Sequence, residues 1–411
     1  MKRYGTPVWI LVSFLAVVGI LVGLGSLLVG LFFPATLGTQ TEMVKLTFDV
    51  GGLLVLGFSV MLLVTGWRGW KHRPSHSFQL PHGWIAPLIL WSGLIVLILL
   101  VPGILRFPLL VAIFHLLLII LPVFFLLVLT ALAAGAFQSR ALRWREIVTA
   151  LTGGALSTSV AFTLEVIGLL VSIILVVAIA MVVPGGPAEV DHLTVELQRL
   201  SEQAAGVIPE EQVLNLLASP VVLAVLVLTL AVATPLIEEL GKTGIVAVLG
   251  YRERFDLRRA FLWGVTCGLG FAVVEGALNG LMSAGGPMAG WAAGIAMRAL
   301  ATTMHALTGG LVGLGWGYVW QQRRRWMLPL LYLGAVFFHG LWNLSAIGIV
   351  AGSLQALGEN TGLLGGIVVV LGGGTLLVLS LIAPGGLLIT ALWLRRRASQ
   401  SQTTTEIQEA R

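Results

Sequence analysis

Two adjacent carboxylates and an ammonium group lie inside one apolar stretch of the sequence. Glu238, Glu239 and Lys242 fall in a run that begins near Ser219 and ends near Gly250. A charged side chain at the centre of a membrane helix costs roughly 2.5–3.5 kcal/mol on insertion scales. A chain that carries three such groups together needs them for chemistry or for transport, so other polar residues at the same depth are candidates for the same site.

The three apolar stretches that follow also carry polar residues of the kinds that act as metal ligands, bases or hydrogen-bond donors. They are Glu275, Arg298, His305, His339 and Asn343. With a helical rise of about 1.5 Å per residue, Glu239, Glu275, His305 and His339 lie roughly 16–25 Å from the basic ends of their spans. Four consecutive spans therefore place a potential ligand in one slab of the membrane.

Two imidazoles and several carboxylates at one depth are suited to activating water on a metal ion. Zinc binds neutral His nitrogen and carboxylate oxygen, and its catalytic sites keep one position for water. A nearby Glu can remove a proton from that water and pass it to a leaving amine. Asn343 shares a helix face with His339 and could donate to an oxyanion, a contribution of about 2.7–4 kcal/mol.

Each of these residues also has a structural interpretation. Glu238 and Lys242 are four residues apart in the order that favours an ion pair, which would leave Glu239 free for chemistry. A single intramembrane His is commonly an interhelical hydrogen-bond partner, and Arg298 is expected to pair with a carboxylate. Adjacent side chains point about 100° apart on a helix, so we expect one Glu to be catalytic and the other structural.

The composition indicates a polytopic membrane protein. Of 411 residues, 57% are hydrophobic and only 10% are charged, which excludes an ordinary soluble domain. The net charge of +6 comes from short basic clusters between apolar runs, so it does not indicate nucleic-acid binding. The only cysteine, Cys267, excludes an intramolecular disulfide and a cysteine-based metal site.

Apolar runs of about 20 residues predict ten membrane spans in an all-α bundle. The predicted spans are 7–33, 47–66, 84–103, 108–135, 152–183, 219–250, 261–283, 290–320, 327–350 and 364–394. Alternate connections hold 19 of the 24 basic residues, which predicts that both termini are cytoplasmic. The first run is too long for the core of a signal peptide, so we expect an uncleaved span.

The long connection after the fifth span divides the chain. It opens with the turn signal Pro184-Gly185-Gly186-Pro187, and apolar residues from Val190 to Ala204 then recur at helical spacing. We expect 1–183 to be a five-span region of unknown role and 184–218 an extracytoplasmic amphipathic loop. The polar half follows as a four-span core (219–350), a last span (351–397) and a disordered cytoplasmic tail (398–411).

The polar residues of the second half resemble a known family. The E-E-x-x-K run at Glu238–Lys242, the F-x-x-x-E run at Phe271–Glu275, the isolated His305 and the H-x-x-x-N run at His339–Asn343 resemble the PrsW family of intramembrane proteases. The related CAAX-processing and bacteriocin-processing endopeptidases have E-E-x-x-x-R and F-x-x-x-H motifs instead. A Lys that follows the paired Glu after two intervening residues, and Glu275 in place of His, favour the PrsW branch.

The resemblance covers about residues 219–350 and implies hydrolysis of a peptide bond in or near the membrane. In the founding case of the family, the substrate is an anti-sigma factor. The resemblance also implies site roles for Glu238, Glu239, Glu275, His305 and His339, in the core that we expect to be catalytic. It leaves open whether the mechanism is of the metallo or the glutamic type.

We therefore expect a membrane-embedded endopeptidase of a bacterial cell membrane. In this hypothesis Glu238 and Glu239 are catalytic, with Glu239 favoured as the general base and Asn343 as the oxyanion donor. Three further residues would bind Zn²⁺, namely Glu275, His305 and His339. The expected partners are the lipid bilayer and a membrane protein substrate, for example a single-span one, and no nucleic acid; the sequence predicts no oligomeric state.

Two other functions are compatible with the same residues. A proton- or ion-coupled transporter would use carboxylates and His as a relay at the midplane of the membrane. Such transporters usually contain internal repeats, whereas the polar residues here lie in one half of the chain only. An inactive scaffold that binds a single-span partner is the third possibility.

Overall fold

A computed structural model of the chain describes helices and the short segments that join them. The described residues are 6–32, 39–78, 85–104, 108–139, 142–202, 212, 216–217, 219–253, 255–284, 288–356 and 362–409. Within these ranges no strand is present, and the only bridge pair joins Ser77 to Arg143. The prediction of an all-α, polytopic helical bundle is therefore confirmed for the described part of the chain.

The helices are numbered here in chain order, and one π-helical segment, Val227–Ala233, lies between α8 and α9. They are α1 (Thr6–Phe32), α2 (Thr39–Trp70), α3 (Ala86–Ile104), α4 (Pro108–Ala133), α5 (Ala136–Ser139), α6 (Trp144–Ala180), α7 (Gly186–Glu202), α8 (Pro220–Leu226), α9 (Thr234–Lys242), α10 (Gly244–Glu253), α11 (Leu257–Ala284), α12 (Met288–Gln322), α13 (Met327–Ala356) and α14 (Gly362–Glu409).

Eight stretches of the described helices are long and apolar enough to cross a membrane. They are Pro7–Phe32, Val44–Trp70, Val111–Ala133, Trp144–Ala180, Pro220–Tyr251, Leu257–Leu281, Met327–Ala356 and Gly362–Gln400. The other two predicted spans, 84–103 and 290–320, coincide with α3 and α12, which are helical but do not belong to this set. The chain is an integral, multi-pass membrane protein; the count of ten spans and the cytoplasmic termini remain predictions.

Some sequence predictions fall outside the described residues. These include Ala204 of the predicted amphipathic loop and six basic residues used for the orientation: Lys2, Arg3, Arg106, Arg140, Arg254 and Arg411. The described part of that loop contains α7, on which Leu193 is buried.

The end of the chain differs from the prediction. Helix α14 continues through 398–409, where the sequence predicted a disordered tail. Neither Gly nor Pro occurs after Gly386, so nothing in this sequence interrupts the helix.

The described chain forms two compact units. Unit 1 comprises Met1–Thr158, Gly241–Tyr332 and Ala383–Arg411, and unit 2 comprises Ser159–Leu240 and Leu333–Ile382.

In unit 1, glycines bring α11 and α12 into close contact. A methyl group at Gly264 would lie 2.2 Å from the carbonyl oxygen of Gly309, and one at Gly268 would lie 2.0 Å from that of His305. Small residues at such spacing let membrane helices approach closely, where packing replaces the hydrophobic effect as the driving force. This contact fixes the backbone of His305 against α11, two turns before Glu275 on the same helix.

Unit 2 uses the same device between α13 and α14. A methyl group at Gly372 would lie 2.9 Å from the carbonyl oxygen of Ser345, and one at Gly352 would lie 2.8 Å from that of Gly365. The part of α13 from Ser345 to Gly352 is therefore in close backbone contact with α14, and the turns just before it carry His339, Gly340 and Asn343.

We expect Gly268→Ala to destabilise the protein by about 1–3 kcal/mol, because the added methyl group must separate α11 from the His305 backbone. Gly373→Ala in α14 is the matched control, since a methyl group there meets nothing within 4 Å and alanine is the better helix former. Thermal unfolding of the purified protein measures both. Equal melting temperatures for the two variants would contradict the proposed close contact.

Candidate active site

The first half of the candidate site begins at the π-helical segment of unit 2. The backbone N–H of Thr234 donates to the carbonyl of Thr229, five residues earlier. The carbonyl of Leu230 therefore loses its usual donor four residues later. Pro235, the residue after Thr234, has no N–H and cannot donate to this carbonyl either.

The side chain of Asn343 supplies the missing donor. Its Nδ2 donates to the Leu230 carbonyl oxygen over 2.8 Å. The close approach this requires is possible at Gly340, one turn earlier on α13, because a methyl group there would lie 2.4 Å from the carbonyl oxygen of Ala231. Inside a membrane no water replaces a missing donor, and an unsatisfied carbonyl costs several kcal/mol, so this hydrogen bond holds α13 to the turn that precedes Glu238 and Glu239.

Helix α9 then presents two carboxylates to one imidazole. Oε1 of Glu239 lies 2.8 Å from Nδ1 of His339, and Oε2 of Glu238 lies 3.8 Å from Nε2 of the same ring. All three side chains are buried, with Glu239 fully so. One potential ligand atom from each of the three lies within 4.8 Å of the others. Because an ionised carboxylate only accepts hydrogen bonds, the 2.8 Å contact requires the proton of the ring on Nδ1.

The second half of the candidate site is a chain of charged groups in unit 1. Nζ of Lys242 lies 2.8 Å from Nδ1 of His305, and Nε2 of that ring lies 2.6 Å from Oε2 of Glu275. The other oxygen of Glu275 accepts from Nη1 of Arg298 over 2.9 Å and from the amide of Asn279 over 3.0 Å. Every charged side chain in this series lies next to a group of opposite charge or to a hydrogen-bond partner.

Phe271 completes this half. The Lys242 ammonium lies 4.5 Å from the centre of the Phe271 ring, and the ring of His305 lies 5.6 Å from it. A cation over an aromatic face is stabilised by the ring quadrupole, which lowers the cost of burying the ammonium group.

Lys242 contacts His305 and Phe271. The ion pair with Glu238 that the i, i+4 spacing favours remains a prediction. The expectation that Arg298 pairs with a carboxylate agrees with its contact to Glu275. The metal-ligand role of Glu275 and the oxyanion role of Asn343 remain predictions, as do the roles assigned to the other candidate residues.

Sequence reasoning missed two contributors. Asn279 lies four residues after Glu275 on α11, a spacing that could have identified it as a partner of that carboxylate. Pro235 lies three residues before Glu238. Because a proline has no N–H, its presence inside an apolar span indicates that a backbone carbonyl nearby lacks its usual donor. The need for a side-chain donor such as Asn343 follows from that signal.

The buried donors are compatible with a metal site. In unit 2, Glu238, Glu239 and His339 offer two carboxylates and one imidazole, all buried. Zinc in proteins is bound by these groups, and burial of two carboxylates is favourable only when positive charge offsets them. The chemistry of the donor set therefore fits a divalent cation.

Comparison with known proteins supports the same interpretation. The model of the PrsW family intramembrane metalloprotease matches residues 200–372. Residues 200–372 belong to the PrsW family. No curated protein and no solved structure matches the chain.

The PrsW-family region contains all six candidate residues. It extends from the last residues of α7 into α14 and so includes both the π-helical segment and the close contact of α11 with α12. The chain is therefore a membrane protein that contains a PrsW-family protease region, and the resemblance seen in the sequence motifs is confirmed.

We expect Asn343→Asp to loosen the turn before the acidic pair, because an ionised carboxylate cannot donate to the Leu230 carbonyl. Hydrogen exchange of the amides in 227–242 should accelerate at least tenfold, which corresponds to a loss of about 1.4 kcal/mol. Leu344→Ala, an exposed neighbour on α13, serves as the control. Unchanged exchange in the Asp variant would show that this hydrogen bond does not hold the turn.

Proposed function

We propose that the chain is a membrane-embedded endopeptidase that hydrolyses a peptide bond of a membrane protein. The observation that carries the proposal is the buried His339, whose two ring nitrogens face the carboxylates of Glu239 and Glu238. The match of residues 200–372 to the PrsW family supports the same activity. Membrane proteins are the substrates that this family assignment implies, and the identity of the substrate is left to experiment.

Glu239 acts on His339. Its contact with Nδ1 holds the ring in the tautomer that leaves Nε2 without a proton and fixes the orientation of the ring. A carboxylate that orients a His ligand in this way typically contributes 10–100-fold to metal affinity or activity. We therefore assign Glu239 a positioning role, although the sequence favoured it as the general base.

Glu238 is the general base in this proposal. Its Oε2 is the carboxylate oxygen beside the unprotonated Nε2, and the 3.8 Å between the two atoms is longer than a hydrogen bond. A water molecule beside these two atoms would have the Glu238 carboxylate as a proton acceptor. Glu238 takes the proton as the water attacks and returns it to the leaving amine.

A metal ion, Zn²⁺ by preference of the donor set, is part of the proposal. Nε2 of His339 would hold it, with Glu238 beside it as the base, and we retain His305 as the further imidazole donor that the sequence predicts. When bound, such an ion polarises the scissile carbonyl and lowers the pKa of a coordinated water molecule.

The proposal gives Glu275 an indirect role. The carboxylate already contacts Arg298, Asn279 and the ring of His305, so it is suited to orienting His305 rather than to binding the metal itself. Arg298 neutralises this carboxylate and keeps it ionised inside the apolar bundle.

Asn343 can stabilise the oxyanion without giving up its structural contact. A side-chain amide has two N–H donors, and the contact with the Leu230 carbonyl uses one of them. The second can donate to a developing oxyanion. Because the first bond fixes the amide, the donor would be preorganised, which is the condition under which such a group accelerates a reaction.

The two carboxylates should differ in their effect on proteolysis. We expect Glu238→Gln to lower the rate of cleavage about 10²–10⁴-fold, as removal of a general base does, and Glu239→Gln to lower it about 10–100-fold. Membrane fractions of cells that express each variant are compared for a fragment that only the active protein produces. Glu202→Gln at the exposed end of α7 is the control.

Wild-type cleavage by both Gln variants would exclude the proposed site, and a larger loss for Glu239→Gln would restore it as the general base. Ion-driven uptake into vesicles without any cleavage would instead identify a transporter.

Metal removal tests the cofactor. We expect the purified protein to contain about one zinc ion per chain and to lose both metal and proteolysis on chelation, with recovery on adding zinc. His339→Ala should lower the zinc content, whereas His192→Ala on α7 should not. Full activity in a metal-free preparation would show that Glu238 activates water in a glutamic-type mechanism.

A further inference from the structure

Unit 1 contains a cavity that the proteolytic site does not use. It measures about 380 Å³ and lies where α2 ends, where the connection 71–78 turns back and where α6 begins. Its lining includes Val60 and Val64, which lie about two turns and one turn before Arg68 on α2, and also Arg68 and Arg145. The two arginines lie near the end of α2 and at the start of α6, and this end of the cavity is called its rim.

The cavity lies at a membrane boundary. The candidate spans Val44–Trp70 and Trp144–Ala180 end and begin at its rim. Trp67, Trp70 and Trp144 are exposed there, and tryptophan concentrates at the level of the lipid headgroups. The apolar wall therefore faces the depth of the acyl chains, and the arginines lie at the depth of the phosphates.

The position of Arg145 is fixed by its surroundings. Its backbone N–H donates to the hydroxyl of Ser75, and its Nη2 donates to the carbonyl oxygen of Arg73 over 3.0 Å. The guanidinium also lies 4.9 Å from the centre of the Trp9 ring. A guanidinium has five N–H donors in a planar fork, a geometry that matches the oxygens of a phosphate.

Acidic groups do not neutralise this rim. Among the described residues that line the cavity, none is Asp or Glu. The nearest acidic residue in sequence is Glu146, whose carboxylate is buried and accepts from Nη2 of Arg259 over 2.6 Å. The cavity thus combines positive charge at its rim with an apolar lining along α2.

We propose that this cavity binds an anionic phospholipid of the surrounding leaflet, with the phosphate at Arg68 and Arg145 and an acyl chain along Val60 and Val64. The charge at the rim selects an anion, and the apolar wall selects a lipid over a free phosphate. The proposal concerns the N-terminal helices, for which no role is assigned, and does not depend on the proteolytic activity.

The full-length protein in detergent tests this proposal by native mass spectrometry with three probes: phosphatidylglycerol, phosphatidylcholine and glycerol 3-phosphate. We expect phosphatidylglycerol to bind at least tenfold more tightly than the other two. Arg68→Gln should weaken its binding about fivefold, the effect of one cation near an anionic lipid, and Arg396→Gln on the exposed part of α14 should not.

Val64→Trp provides a second variant that leaves the charges intact. The larger side chain should fill the apolar wall and weaken binding of phosphatidylglycerol while the melting temperature stays within a few degrees of the wild type. Equal binding of phosphatidylcholine, or of glycerol 3-phosphate, would overturn the proposal. So would phosphatidylglycerol binding that neither Arg68→Gln nor Val64→Trp changes in a folded protein.

Discussion

The contact between Glu239 and His339 is the interaction on which the candidate site depends. Adjacent residues on a helix project about 100° apart, so two neighbouring carboxylates cannot reach the same atom equally well. An imidazole resolves this constraint because its two nitrogens lie on different edges of one ring. Glu239 meets Nδ1 at 2.8 Å and Glu238 faces Nε2 at 3.8 Å, so the single ring places two adjacent residues in different environments. The proposed division into a positioning group and a base rests on this difference.

The direction in which α9 presents these carboxylates originates in the turn before it. The hydrogen bond from the Thr234 N–H to the Thr229 carbonyl spans five residues, so the turn is wider than an α-helical turn. This changes the direction in which the side chains of α9 project. A wide turn in a membrane is expensive, because no water satisfies the displaced carbonyl. Asn343 offsets that cost, so one side chain on α13 supports the geometry of another helix.

Simple electrostatics predicted much of the site from the sequence. The cost of burying charge singled out Glu238, Glu239, His305 and His339, and all four are buried. It did not predict partners on other helices: the contact of Lys242 with His305 has no signal in the helical spacing. The sequence analysis also did not predict the π-helical segment, because a hydropathy pattern carries no information about which backbone carbonyl lacks a donor.

The metallo and glutamic mechanisms must both meet the same physical requirement at the acidic pair. Two carboxylates that share a buried imidazole repel each other if both are ionised, so the group is stable only when a positive charge lies among them. A divalent cation meets this requirement, and so does a proton retained on one carboxylate. Both solutions leave Nε2 of His339 and Oε2 of Glu238 beside the same reacting water. The two mechanisms therefore differ in which cation neutralises the pair, while the work done by the surrounding residues is the same.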